Sequence, residues 1–348
     1  MKVSLWRVSF AVGLVLILVG TLSFAFAAEK EKLPPLQALI APRIDLRGLE
    51  KPVVIGISFG NMFLGQQAEF LGMKAAAQIF GGEDKIKFEI AVADNDAQKQ
   101  NEQISMLISK GIDVLLIFAV DNVAILKGIA EATKAGIPVI VWDRYVESKD
   151  LYFASVLNSF ADGYLAGQYM KSLIPNDGKE RVILNLVGAL NDINAVERRD
   201  GFEAGIAGAP NIKIVRMPTD WNAEKALQST KDALKKYPDL WGIYLASDFM
   251  TDAVLTALRE AGKLHKVGEP GHVVLVLQDG AYPGYKAVLE GWADAVVSLP
   301  LFAEGAMALQ AALIAAKANY WTFPGILFTH ENIAQHADEI WGTYFAEE

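Results

Sequence analysis

The stretch Pro138-Val-Ile-Val-Trp-Asp-Arg144 joins, with no intervening turn, a run fit only for a buried strand to two opposite charges. Ile137, Val139, Ile140 and Val141 have the β-branched, uninterrupted apolar character of a parallel strand covered on both faces, with Gly136 closing the preceding helix. Such a strand demands helices above and below it. Asp143 and Arg144 occupy its C-terminal end, the edge at which open α/β sheets receive ligands. The pair reads either as a ligand-binding couple or as a structural ion pair at a strand end.

The rest of the chain repeats that grammar. Strands are expected at Val53 to Ser58, Ile86 to Ala93, Ile112 to Phe118 and Ile137 to Trp142. Helices fall between them at Phe63 to Phe80, Ala97 to Lys110 and Val123 to Ala135, giving βαβαβαβ and a doubly wound parallel sheet. After a crossing segment a helix spans Ala161 to Leu173, and Pro175-Asn-Asp-Gly178 marks a turn. A second set of strands follows at Arg181 to Val187, Ile212 to Met217, Trp241 to Ala246, Val273 to Leu277 and Ala295 to Ser298, with helices starting near Ala195, Ala223, Thr251, Tyr282 and Leu301. The expected fold class is α/β, with two similar doubly wound parallel-sheet lobes.

The N-terminus obeys different rules. Lys2 and Arg7 precede an uncharged apolar run from Val8 to Phe24, and Ala25-Phe26-Ala27 supplies a small-x-small pattern. This is the layout of a secretory signal peptide over 1–27 with cleavage after Ala27, the alternative being an uncleaved anchor. Residues 28–51 carry Pro34, Pro35 and Pro42 without a sustained period, which suits a linker or arm. Export to the periplasm is therefore expected. The absence of cysteine removes disulfides, thiol catalysis and a lipid-modified anchor. The formal net charge of −9 argues against nucleic acid, and it grows more negative once Lys2 and Arg7 are lost.

The residues after each strand carry the chemistry. They are Asn61 and Phe63, Asp94 and Asn95, Asp121, then Asp143 and Arg144; in the second half Asn191, Asp192 and Asn194, Asp220 and Trp221, Ser247 and Asp248, Gln278 and Asp279, then Ser298. Facing edges would turn these into the lining of one cleft. Carboxylates and amides accept from hydroxyls, arginine donates at fixed geometry, and aromatic rings cover apolar C–H faces, so the lining suits a neutral polyhydroxylated ring. For Asp121, Asp192 and Asp248 the competing reading is a helix N-cap.

Taken together, Ile57-Ser58 with Asn61, Asp94-Asn95, Lys110-Gly-Ile-Asp113, Pro138 to Arg144, Asp200-Gly-Phe202, Ala257-Leu258 to Gly262 and Gln278-Asp279-Gly280 resemble a periplasmic sugar-binding protein of the ribose-binding type, the type I solute-binding component of ABC transporters. The resemblance runs from Pro52 nearly to the end. It implies that Asp143 and Arg144 are the central ligand pair, Asn61 and Phe63 first-lobe contacts, Trp221 a stacking ring and Asp279 a further hydroxyl acceptor. Asn194, Asp248 and, at positions that depart from the ribose pattern, Ser247 and Ser298 complete the expected ligand set. The pattern's arginine before Gly-Phe falls on Val196, with Arg198 one register slip away.

The resemblance also implies three crossings, near Val156 to Asn158, Ser298 to Pro300 and Gly325 to Leu327. The lobes would be 52–157 with 300–326 and 158–299 with 327–348, closing by hinge motion on a sugar or polyol. Its membrane partner would be an ABC transporter permease or, alternatively, a chemoreceptor or sensor kinase. A monomer without cofactor or metal is expected. A secreted carbohydrate-active enzyme is the rival, since paired carboxylates can do glycoside chemistry, but the four histidines show no metal-ligand spacing and there is no G-x-S-x-G. The exported chain is expected to begin at Ala28 and to be recovered from the periplasm without detergent. An intact N-terminus in the membrane fraction, read by N-terminal sequencing, would overturn this.

Overall fold

The computed structural model describes residues 50–316 together with Arg43, Ile44, Leu46, Trp321 and Thr322. The expected signal peptide, nearly all of the arm at 28–51 and the third crossing near Gly325 lie outside the described residues.

The strands are β1 (Arg43–Ile44), β2 (Val53–Phe59), β3 (Ile86–Val92), β4 (Val114–Phe118), β5 (Val139–Asp143), β6 (Phe153–Val156), β7 (Arg181–Val187), β8 (Ile212–Pro218), β9 (Leu240–Leu245), β10 (Val274–Asp279), β11 (Ala295–Ser298) and β12 (Trp321–Thr322). The helices are α1 (Leu64–Ile79), α2 (Ala97–Ser109), α3 (Leu126–Lys134), α4 (Ser159–Ser172), α5 (Ile193–Ile206), α6 (Ala223–Lys236), α7 (Thr251–Glu260), α8 (Tyr282–Leu289) and α9 (Leu301–Ala315). Two five-stranded sheets result, in the orders β3-β2-β4-β5-β6 and β8-β7-β9-β10-β11. Every neighbour pair in both is parallel. The two therefore share one topology, whose order reverses between β2 and β4 in one sheet and between β7 and β9 in the other. β1 and β12 form a separate antiparallel pair, Arg43 opposite Thr322.

Period-2 alternation builds a core on each face. In the first sheet Ile55, Ile57, Phe59, Leu116, Phe118, Ile140 and Trp142 point to one side, where residues of α1 and α9 meet them. Leu115, Ile117, Val139 and Val141 point to the other, against α2 and α3. The second sheet repeats this, with Leu184, Leu186, Leu275 and Leu277 under α6, α7 and α8, and Ile183, Val274 and Val276 under α4 and α5. Strands buried on both faces read as continuous apolar runs, which is why the sequence locates them.

The sequence reading gave the first sheet four strands, whereas it has a fifth. β6 escaped detection because Ser155 is its only buried residue, and an edge strand with Phe153 and Val156 exposed shows no apolar alternation. The chain leaves the first sheet after β6 and enters the second with α4. It returns after β11, where α9 packs into the first sheet's core. Helix α3 begins at Leu126, later than the expected Val123, because Asp121 Oδ1 accepts the N–H groups of Val123 and Ala124 and holds a turn there.

Two helix pairs approach closely through glycine. A Cβ at Gly72 would lie 2.0 Å from Phe302 O, and one at Gly305 1.9 Å from Glu69 O, so α1 and α9 touch backbone to backbone. Gly163 and Gly201 do the same for α4 and α5, at 2.2 Å from Arg198 O and 2.0 Å from Phe160 O. Gly305→Ala must push α9 off α1; it is expected to cost about 1–3 kcal/mol, read as a lowered melting temperature.

Candidate functional site

The C-terminal strand ends are where the backbone is strained. Of the seven non-glycine residues with positive φ among the described residues, six stand there: Asp94, Asn95, Asp143, Asp220, Trp221 and Asp279. Left-handed backbone in residues that carry a Cβ persists only where the surroundings over-determine it, and it concentrates at functional sites. Asp143 has φ 61°, and its main-chain N–H is held by Glu304 Oε1 at 3.0 Å.

Asp143 and Arg144 do not pair with each other in the manner of a simple strand-end couple. Arg144 Nη2 meets Asp192 Oδ2 at 2.6 Å, Nη1 donates to Ala119 O at 2.8 Å, and the guanidinium lies 4.4 Å from the Phe118 ring centroid. Asp143 Oδ2 accepts from Gln66 Nε2 at 3.1 Å, and Oδ1 accepts from Asn194 Nδ2. Asn194 and Asp192 belong to the second sheet's side, so both members of the pair reach across between the lobes. Phe63 and Phe249 add a third contact of that kind, with ring centroids 6.3 Å apart.

On the second sheet's side Arg198 Nη1 lies 2.8 Å from Asp279 Oδ1 and donates to Ala246 O at 2.8 Å. Ser247 Oγ bonds Asp279 Oδ2. Trp221 donates Nε1–H to Asp192 at 2.9 Å, and Arg198 lies 5.9 Å from its ring. Arg198, not Val196, is thus the arginine at this edge. Asn194, Arg198 and Phe202 succeed one another every four residues on the buried face of α5, whereas Val196 is two residues and about 200° away. Among the described residues the Nε–H groups of both Arg144 and Arg198 are buried without a partner.

The remaining expected positions divide. Asn61 is buried, but its amide bonds Asn95 and the Phe63 N–H and so shapes its own loop. Asp192 is both the N-cap of α5, accepting Asn194 N–H, and the ion-pair partner of Arg144. Asp248 caps no helix; its Oδ2 accepts Gly280 N–H and fixes the turn after β10. Ser298 is exposed at the end of β11, where its Oγ would lie 2.4 Å from a Cβ at Gly280. Asp94 pairs with Lys99 at the surface and Asp121 makes its turn, so the charged cluster includes neither.

Three residues of the cluster do not follow a strand and so carry no strand-end signal in the sequence: Gln66, Glu69 and Glu304. A signal for two of them exists. Glu69 heads the stripe Met73, Ala76, Phe80, and Glu304 the stripe Ala308, Ala311, each a lone carboxylate on a buried helix face. Glu69 accepts the indole N–H of Trp142 at 2.8 Å. Burial pushes the Glu304 carboxyl up to about 9, aided by the charge of Asp143, and Asp248 up to about 8, aided by Asp279. Burial also raises Asp143 and Asp279, while Arg144 and Arg198 respectively pull them back down.

The chain belongs to the periplasmic binding protein domain family, whose model matches residues 53–319. It is 28% identical over 231 residues to the ribose import binding protein of Salmonella typhimurium, covering 66% of this chain and 74% of that one. It is 28% identical over 269 residues to the galactofuranose-binding protein of Escherichia coli, covering 75% and 81%. Among solved structures, an ABC transporter solute binding protein from Mycobacterium smegmatis with bound glycerol matches with a TM-score of 0.68 and 32% identity over 76% of this chain and 88% of that one.

Asp192→Asn removes the carboxylate that meets the buried Arg144 guanidinium between the lobes. An unpaired buried charge costs about 3–5 kcal/mol, so the variant is expected to open. Solution scattering of the unliganded protein should give a larger radius of gyration than wild type; an unchanged radius would show that this ion pair does not hold the lobes.

Proposed function

We propose that this protein captures a monosaccharide or related polyol between its two lobes and hands it to the permease of an ABC transporter, acting in the periplasm after loss of residues 1–27. The observation that carries this is the pair of buried guanidinium groups, each with an unpartnered Nε–H, set among the acceptors Asp143 and Asp279 at strand ends of the two sheets. Donors at fixed geometry beside carboxyl acceptors match adjacent ring hydroxyls, and Trp221 and the half-exposed Phe63 (48%) offer apolar faces for C–H groups.

In this reading ligand takes over contacts that the lobes now make with each other. Hydroxyls replace the Asn194 amide on Asp143 and relieve Arg144 of part of its hold on Asp192. Asn194, Ser247 and Asp248 shape the second lobe's side, and Asn61 supports the first through its loop; Ser298 flanks the β11 crossing. The lobes, 52–157 with 300–326 and 158–299 with 327–348, move about the crossings after β6 and β11. Binding proceeds without turnover and without cofactor.

A thermal-shift screen of monosaccharides and polyols tests this, since ligand at a hundred times its dissociation constant adds about 2.7 kcal/mol. Against the best hit, Asp143→Ala and Arg198→Ala are each expected to weaken binding at least about a hundredfold, or about 3 kcal/mol. Trp221→Ala should cost about 1–3 kcal/mol through lost apolar contact. Release of a hydrolysed product, or variants that melt earlier yet bind normally in calorimetry, would sink the reading.

A further inference from the structure

Two further carboxyl groups, Glu69 and Glu304, adjoin the β5 end that carries Asp143. Glu69 is 0% exposed and Glu304 6%, and they stand on the two helices whose backbones meet at Gly305, the residue after Glu304. Each spends one oxygen on the β5 end: Glu69 Oε2 on the Trp142 indole and Glu304 Oε1 on the Asp143 N–H. The other two oxygens, Glu69 Oε1 and Glu304 Oε2, are buried with no partner among the described residues.

Two ionised carboxylates so placed, beside a third at Asp143, would leave unpaired lone pairs and uncompensated charge in an apolar core. One proton removes both problems, because a protonated carboxyl is a donor for its neighbour. We propose that Glu69 and Glu304 share a single proton at neutral pH and, joined in this way, act as positioning residues that hold Asp143 in its left-handed conformation for the ligand. The proposal rests on reading Asp143 as a ligand-binding group.

The electrostatics agree. Burial, then the charges of Asp143 and Glu304 raise Glu69, a hydrogen bond to Asp143 adding to this and the Trp142 indole opposing it. Burial and Asp143 raise Glu304, while its hydrogen bond with Glu69 pulls it back, as expected of two carboxyls joined by a proton. Arg198 also faces Glu304 and pulls the other way, while Arg144, Asp192 and Arg198 act on Asp143. β4 and β6, which also pack on α9, carry no titratable side chain, and β1, which contacts α9 too, carries Arg43. The folded state thus keeps a proton that the unfolded chain gives up near the ordinary value of 4.5. Stability from this pair is full below that pH, declines as pH rises, and levels off only above about 9.

The test uses the full-length exported protein labelled with 13C at the glutamate carboxyls. Signals of Glu69 and Glu304 are assigned by their loss in Glu69→Gln and Glu304→Gln. One protonated carboxyl is expected at pH about 7, ionising at about 9; two ionised groups, or two protonated ones, at neutral pH would overturn the proposal. Glutamine imitates the protonated form, so Glu304→Gln should show a melting temperature less dependent on pH between about 5 and 9 than wild type, while Glu304→Ala melts lower throughout. Equal melting of the Gln and Ala variants at the alkaline end would also count against it.

Calorimetry with D-ribose and methyl β-D-galactofuranoside reads the positioning. Affinity should stay within about threefold in Glu304→Gln and fall at least about tenfold in Glu304→Ala; equal loss in both variants contradicts the positioning role. If wild type binds neither sugar, the ligand class fails, while the carboxyl signals and the melting curves still decide the shared proton.

Discussion

Carboxyl groups outnumber guanidinium groups where the C-terminal edges of the two sheets meet. Glu69, Asp143, Asp192, Asp248, Asp279 and Glu304 stand against Arg144 and Arg198, and all are buried or half-buried. Water does not solvate this excess, so the protein must discharge it by pairing across the lobes, by main-chain N–H groups or by retained protons. Each device leaves a mark. Arg144 reaches over to Asp192, Gly280 N–H serves Asp248, and burial lifts Glu304 and Asp248 into the alkaline range. The left-handed bends at Asp143 and Asp279 are the backbone's share, since they turn the strand-end carboxylates toward these partners.

This arrangement makes the interlobe region well connected. Asn194 on Asp143 and Asp192 on Arg144 are polar contacts of a kind that water or a hydroxylated guest can also make, and Phe249 beside Phe63 adds an apolar one. In the proposed cycle opening would exchange the polar contacts for water, and binding would exchange them for hydroxyl groups. The free-energy gap between the states is then a difference between similar interactions, which suits a protein that must also let its cargo go.

Much of this was legible in the sequence because buried parallel strands announce themselves and the residue after each strand is read directly. β5 with Asp143 and Arg144, β10 with Asp279, and the starts of α6, α7, α8 and α9 were all visible in that way. What escaped was whatever depends on rotation or on an absent apolar signal. The choice between Val196 and Arg198 turns on the phase of α5, and β6 hides because its buried residue is a serine. Glu69 and Glu304 sit inside helices whose stripes look purely structural until α1 and α9 are known to touch.

Gly188, just past β7, has an effect larger than its size. A Cβ there would lie 2.2 Å from two atoms of the Trp221 ring and 2.4 Å from a third, so the indole occupies the space that any other residue at 188 would fill. The two positions lie thirty-three residues apart in sequence, yet they are sterically tied to each other. A lineage that acquires even alanine at 188 must surrender the tryptophan or move it, and with it the hydrogen bond to Asp192. On the proposed reading, in which Trp221 meets the ligand, Gly188 helps to set the shape of the cleft, and relatives with other ligands are expected to differ at 188 and 221 together.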